Sequence, residues 1–181
     1  MKNKLENPKR VAELNPKDTL ERIGLKNDDT FCDVGAGTGI FTFVAAKITK
    51  GKIYAVEISD EMLAILEKSA KELNAENVAV VNDMKMMPES SCKVVLLCTV
   101  LHEISDVPEI MNDIARILIK GGVLAVIEFH KRQTPMGPPI EHRLDSLKLD
   151  EIMHDYGLCK IHQFTLGENF YCSIFTWDGD K

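Results

Sequence analysis

From about residue 30 onward, short apolar runs alternate with stretches whose hydrophobic residues recur every three or four positions. That is the pattern of a parallel sheet built from βαβ units. The first run, TFCDV (Thr30 to Val34), leads into glycines and reads as a buried strand entering a tight turn. A helix from about Gly39 then carries Phe41, Val44, Ala45 and Ile48 on one face. KIYAVE (Lys52 to Glu57) is the second strand, and Ser59 caps a helix in which Met62, Leu63, Leu66, Ala70 and Leu73 face inward. NVAVVN, ending at Asn82, is the third strand, and KVVLLC (Lys93 to Cys98) is too apolar for anything but a central one. Asp106 and Glu109 then form a capping box, with Pro108 in the first turn of a helix burying Ile110, Met111, Ile114, Ile117 and Leu118. Gly121 and Gly122 end that helix, and VLAVIEF (Val123 to Phe129) is a fifth strand.

The pattern changes after the loop HKRQTPMGPP and a helical stretch closing at Gly157. CKIHQFTL and FYCSIFTW are joined only by Gly167, Glu168 and Asn169, which forces an antiparallel hairpin because a parallel crossover needs a dozen residues or more. The sequence therefore predicts five parallel strands and a terminal hairpin in one α/β domain, residues 1–181. Residues 1–16, with LENPKRVAEL ahead of Pro16, either form a short helical arm over the substrate mouth or fray.

Composition narrows the partners. The 181 residues carry a net charge of −6, and 45% are hydrophobic. A soluble domain with its own core and a small-molecule partner is expected, with no attraction to nucleic acid or anionic lipid. The N-terminus has no apolar stretch after its positive charges and no run approaches a membrane span, so a cytoplasmic protein is expected. Five cysteines (Cys32, Cys92, Cys98, Cys159, Cys172) show no C-x-x-C spacing and read as reduced thiols, with no metal site.

The candidate chemistry sits at strand ends. DVGAGTG places Gly35, Gly37 and Gly39 in the first strand-to-helix turn, where bare backbone lets a ligand approach closely. The spacing is G-x-G-x-G rather than the G-x-G-x-x-G of dinucleotide sites, and taken alone it is equally compatible with a structural turn. Glu57 ends the next strand 22 residues after Gly35, where a carboxylate accepts the hydroxyls of a ribose. Asp83 follows the third strand, beside Met84 and Met86.

These residues, with the strand ending CTVLHEI and the closing hairpin, resemble class I S-adenosylmethionine-dependent methyltransferases over roughly residues 17–181, closest to small undecorated members that also carry a Gly-Pro-Pro loop (here Gly137 to Pro139) after strand five. The resemblance implies a Rossmann-like sheet of order 3-2-1-4-5-7-6, strand 7 antiparallel, with helices on both faces. It also implies the cofactor residues. Gly35, Ala36, Gly37 and Gly39 would face the methionine part of S-adenosylmethionine, and Asp33 would hold its amino group directly or through water. Glu57 would bind ribose, Ile58 and Met84 would sandwich adenine, Asp83 would meet the adenine amino group, and the backbone near Cys98 and Thr99 would accept from the ammonium. A cationic, zwitterionic ligand agrees with the residues themselves, since no basic residue lies between Asp33 and Ala46.

Loops beyond the strand ends hold the candidates for chemistry. His102 and Glu103 follow strand four, where a base could take a proton from an acceptor; alternatively His102 caps the next turn and Glu103 is solvated. His130, Lys131, Arg132, His142 and Arg143 surround the stiff segment Pro135 to Pro139, as a dock for an anionic substrate group or as a solvated loop. The leading expectation is methyl transfer to a small molecule. A non-catalytic S-adenosylmethionine-binding module and an NAD(P)-dependent oxidoreductase are the alternatives.

Overall fold

The protein is described by a computed structural model covering residues 5–178. Strands β1 (Phe31–Val34), β2 (Ile53–Val56), β3 (Val78–Val81), β4 (Cys92–Cys98), β5 (Leu118–Phe129), β6 (Leu158–Leu166) and β7 (Phe170–Trp177) form one sheet. Its order is β3-β2-β1-β4-β5-β7-β6, and β7 alone runs antiparallel to its neighbours. This is the topology that the resemblance implied.

The central strands are apolar on both sides because helices cover both faces. Helices α1 (Pro8–Leu14), α2 (Pro16–Ile23), α3 (Thr42–Ile48) and α4 (Asp60–Glu72) belong to one side; Leu14, Leu20, Phe41 and Ala45 pack there with Phe31, Leu96, Ile127 and Phe170. Helices α5 (Val107–Ile117) and α6 (Ser146–Asp155) cover the other, where Met111, Ile114, Leu149 and Met153 meet Val95, Leu97, Val126 and Tyr171. No helix among the described residues is long and apolar enough to cross a membrane.

Several local expectations change. Helix α5 ends at Ile117 and β5 begins at once with Leu118; Gly121, at φ +69°, lies inside the strand rather than ending the helix. The register between β4 and β5 shifts between Cys92 and Val94, so those glycines accommodate a bulge. The capping box is half formed: Asp106 accepts the Glu109 amide at 2.9 Å, but the Glu109 carboxylate turns away to Lys85 Nζ at 2.6 Å. Ser59 occupies the N-cap of α4 without a side-chain bond, its amide donating to Glu57, and Leu73 at the far end is exposed.

The N-terminal arm is packed. Leu14 is fully buried, and Glu13 grips the hairpin turn, accepting from Asn169 Nδ2 at 2.7 Å with both oxygens and from the Asn169 amide at 3.2 Å. Leu14→Ala should lower unfolding stability by about 2–5 kcal/mol in chemical denaturation, the usual range for an emptied core site. A shift below about 0.5 kcal/mol would mean that the arm contributes nothing to the cooperative core.

Candidate functional site

The carboxyl ends of β1, β2, β4 and β5 lie side by side, and the loops that follow them converge. Gly35, at φ +69°, sits so close to Val100 that a Cβ there would fall 2.5 Å from a Val100 methyl carbon; the turn after β1 thereby packs against the loop after β4. The Gly35 and Ala36 amides both donate to the Val56 carbonyl at 2.9 Å, drawing that turn onto the end of β2. Leu5 lies over Gly37, and Arg10 of α1 donates to Thr99 Oγ1 at 3.1 Å, so the arm crosses this same edge.

Two carboxylates face these loops without a cationic partner among the described residues. Glu57 accepts three amides, from Gly37 at 2.9 Å, Ile58 at 2.8 Å and Ser59 at 3.0 Å. A carboxylate offers about four acceptor sites, so room remains for a hydroxyl donor. Asp33 is buried, its Oδ2 accepting from Thr42 Oγ1 at 2.6 Å, and burial pushes its pKa up to about 6 against the hydroxyl's opposing pull. A carboxylate held this way gains from a neighbouring positive charge.

The rim is built from the ends of β2 and β3. Ile58 is 87% exposed at the end of β2, although its side chain is apolar. Asp83 is exposed at the end of β3, its Oδ1 capping a short 3-10 turn through the Lys85 amide at 2.8 Å. Met84 differs from expectation. At 4% exposure it is packed into the core, its carbonyl accepting from Arg116 Nη2 at 2.5 Å, and it presents no open face; Met86 is the exposed methionine of that turn. Cys98 is half-buried, and desolvation raises its thiol to about 12, so it stays neutral. Thr99, beside it, adopts φ +56° with its amide bonded to the Ile127 carbonyl at 2.7 Å.

His102 lies in a 3-10 turn after β4, its side chain 7% exposed. Nδ1 meets Glu128 Oε2 at 2.7 Å, the His102 amide donates to Oε1 at 3.2 Å, and Nε2 lies 3.7 Å from Glu103 Oε1. The bond to Glu128 raises the His102 pKa above 6.5, outweighing desolvation. Glu103 is exposed. Glu128 is the residue that sequence reasoning missed. Its only visible mark was a carboxylate inside an otherwise apolar run, VLAVIEF.

In the basic loop after β5, Arg143 is turned inward, away from a docking role. Arg143 is only 6% exposed and its guanidinium is turned into the loop: Nε meets the Pro138 carbonyl at 2.8 Å, Nη1 the His130 and Arg132 carbonyls and Thr134 Oγ1 at 2.6–3.0 Å, and Nη2 the Met136 carbonyl at 3.3 Å. It folds the proline loop from inside, with most of its donors turned to the loop's own backbone. His130 is half-buried, and desolvation lowers its pKa, so it stays neutral to lower pH than an exposed histidine. Lys131, Arg132 and His142 are exposed.

A family profile described as a methyltransferase domain matches residues 25–164. The chain belongs to that methyltransferase family. A SAM-dependent methyltransferase from Aquifex aeolicus superimposes with a TM-score of 0.90 at 25% identity, covering 96% of this chain and 95% of that one. A demethylmenaquinone methyltransferase of Tropheryma whipplei (strain Twist) is 31% identical over 112 residues, 61% of this chain and 46% of that protein. A probable cobalt-precorrin-6B C(15)-methyltransferase (decarboxylating) of Methanosarcina mazei is 38% identical over 63 residues, 34% of each chain. The chain spans less than half the length of these curated relatives.

Asp33 gives this methyltransferase-family site a pH signature. Its folded pKa of about 6 stands above the unfolded 3.8, so the folded state binds the extra proton between those values and loses stability as pH rises through them. Asp33→Asn should therefore flatten the stability profile between about pH 4 and 6 and make the ligand-free protein more stable at pH 7, by on the order of 2–3 kcal/mol. Thermal unfolding across that range reads both effects. An unchanged slope would mean that Asp33 ionises without penalty.

Proposed function

We propose that the protein is an enzyme that binds S-adenosylmethionine along the ends of β1, β2 and β3 and transfers its methyl group to a small-molecule acceptor held between the loops after β4 and β5 and the N-terminal arm. The carrying observation is the pair of carboxylates, Asp33 and Glu57, beside a glycine turn that contains no basic residue. A diphosphate would demand cations or free amides there; an ammonium with ribose hydroxyls matches what is present. Family membership and the close superposition on a SAM-dependent methyltransferase support the same reading.

On this reading Gly35, Ala36, Gly37 and Gly39 lie against the methionine part, with Asp33 its counter-charge. Glu57 accepts the ribose hydroxyls, exchanging them with or adding them to its amide donors. Ile58 supplies one adenine face and Asp83 accepts from the ring's amino group. The backbone at Cys98 and Thr99 borders the ammonium. When bound, the cofactor supplies a methyl group already activated on a sulfonium, so the chain's own task is alignment and exclusion of water, worth on the order of 7–11 kcal/mol. His102 is the base that takes the acceptor's proton through Nε2.

Several finer features belong to this proposal. The whole chain is one methyltransferase domain, with the arm, through Leu5 and Arg10, covering the mouth. The Gly137–Pro139 loop marks the small undecorated kind. Five free cysteines fit a reducing cytoplasm. The curated relatives are named for quinone and corrin precursors, which supports a small acceptor, and the net charge of −6 disfavours nucleic acid.

Calorimetric titration with S-adenosylmethionine and with NAD(H), followed by a coupled S-adenosylhomocysteine-release screen over small metabolites, tests the reading. The protein should bind the first and ignore the second, and Glu57→Ala should weaken binding at least about tenfold, the loss of a charge-assisted pair of bonds. Uptake of the dinucleotide alone would overturn the assignment. Binding without turnover on any metabolite would favour a non-catalytic module.

With an acceptor in hand, His102→Ala should lower kcat by about 10²–10⁴ while leaving cofactor affinity unchanged. Because Glu128 raises the pKa of His102, activity should increase with pH through a value above 6.5, where the ring becomes neutral. Equal turnover in the alanine variant would remove His102 from the chemistry.

A further inference from the structure

Glu128 is fully buried, one residue beyond the last register pair of β4 and β5, Cys98 with Ile127, and opposite Tyr171 of β7. No lysine or arginine among the described residues pairs with it. Both of its oxygens go to one residue: Oε1 to the His102 amide at 3.2 Å and Oε2 to Nδ1 at 2.7 Å. One carboxylate thus fixes the backbone of the turn and the rotation of the ring it carries. A carboxylate only accepts, so Nδ1 carries hydrogen and, in the neutral ring, the lone pair is on Nε2.

The other groups around the ring do not compete for that role. Phe129 meets the imidazole edge to face at 6.2 Å between centroids. Cys98 is a neutral thiol, and Tyr171 donates its hydroxyl to the Leu144 carbonyl at 2.9 Å. Beyond Nε2 stands the exposed carboxylate of Glu103, at 3.7 Å.

We propose that Glu128 is a positioning residue that holds His102 with Nδ1 bound and Nε2 free for the acceptor, and that Glu103 passes the collected proton to water. This rests on the reading of His102 as the base. In the step, the acceptor–hydrogen bond breaks, its electron pair stays on the atom that takes the methyl group, and the proton becomes Nε2–H. The resulting imidazolium lies between two carboxylates, which favour it. The acceptor class follows: an atom with a hydrogen to lose, such as a hydroxyl, an enol or an acidic carbon, rather than a thioether or tertiary amine, whose methylation releases no proton.

Histidine side-chain nitrogen NMR on the full chain, saturated with S-adenosylhomocysteine, tests the pairing without an acceptor. In the wild type His102 should show the Nδ1–H tautomer and titrate above its ordinary range. In Glu128→Gln the amide can turn its NH2 group to Nδ1, so the titration should move to lower pH and the other tautomer should gain population, with S-adenosylhomocysteine affinity within about twofold. With an identified acceptor, that variant should lose about tenfold or more in kcat with little change in KM for the cofactor.

An identical titration in both proteins, or an Nε2–H tautomer in the wild type, overturns the role of Glu128. The wild-type tautomer decides alone if the glutamine variant does not fold. Undiminished turnover in His102→Ala would instead count against the base reading and leave the NMR result standing, so the two failures are told apart.

Discussion

Negative charge held at strand ends without a positive side chain is the constraint on which this molecule's chemistry depends. Asp33 is buried with a hydroxyl as partner, and Glu57 is held by three amides. Neither arrangement neutralises the charge; each only solvates it with protein dipoles. Burying a carboxylate this way works against the folded state, as the raised pKa of Asp33 records. A cationic ligand relieves that cost. The glycine turn serves close packing, since the space a side chain would take at Gly35 and Gly39 is filled by Val100 and Phe43.

What keeps the loops around this edge in place is a set of polar residues bonded to one another and to backbone. Asn169 in the hairpin turn binds Glu13 of the arm, accepts the Met136 amide at 2.9 Å through Oδ1, and offers its carbonyl to the His130 amide at 2.9 Å. Arg143 does the same for the proline loop with five contacts to its backbone and hydroxyl groups. Arm, hairpin and loop are therefore one connected surround, although they come from opposite ends of the chain. A buried arginine bonded to carbonyls acts as a scaffold, so the charge of Arg143 serves the loop's own backbone.

The architecture was legible because it follows from periodicity. Five apolar runs, helices between them and a three-residue connection before FYCSIFTW leave few topologies, and the observed sheet order is the one that the resemblance implied. The positions of Asp33, Glu57 and Asp83 at strand ends were legible too, since a strand end and a carboxylate are both local facts. Contacts across the chain were not. Nothing local distinguishes Arg143, which turns inward, from Arg132, which stays exposed. Met84 and Met86 look alike as well, and which one is core depends on how the turn after Asp83 packs on α5. Gly121 and Gly122 resemble a helix stop because a bulge and a C-cap ask for the same conformational freedom. Glu128 was hidden for the opposite reason: an apolar run reads as core, and a single carboxylate within it has meaning only once His102 is brought against it.

The carboxylates of this edge divide by how their charge is used. On the α3 side, Asp33 keeps its charge open behind a hydroxyl, and Glu57 keeps open acceptor sites at the next strand end; both suit binding a positive, hydroxylated ligand. On the opposite face, Glu128 commits its charge to one imidazole and so acts on a proton instead of a ligand. The two carboxylates are separated by side-chain alternation, since Asp33 of β1 and Glu128 of β5 lie on opposite faces of the sheet, with β4 between their strands. An imidazolium placed beside Asp33 would offset the negative charge there. On the proposed reading, one sheet edge then holds a cation on one face and moves a proton on the other.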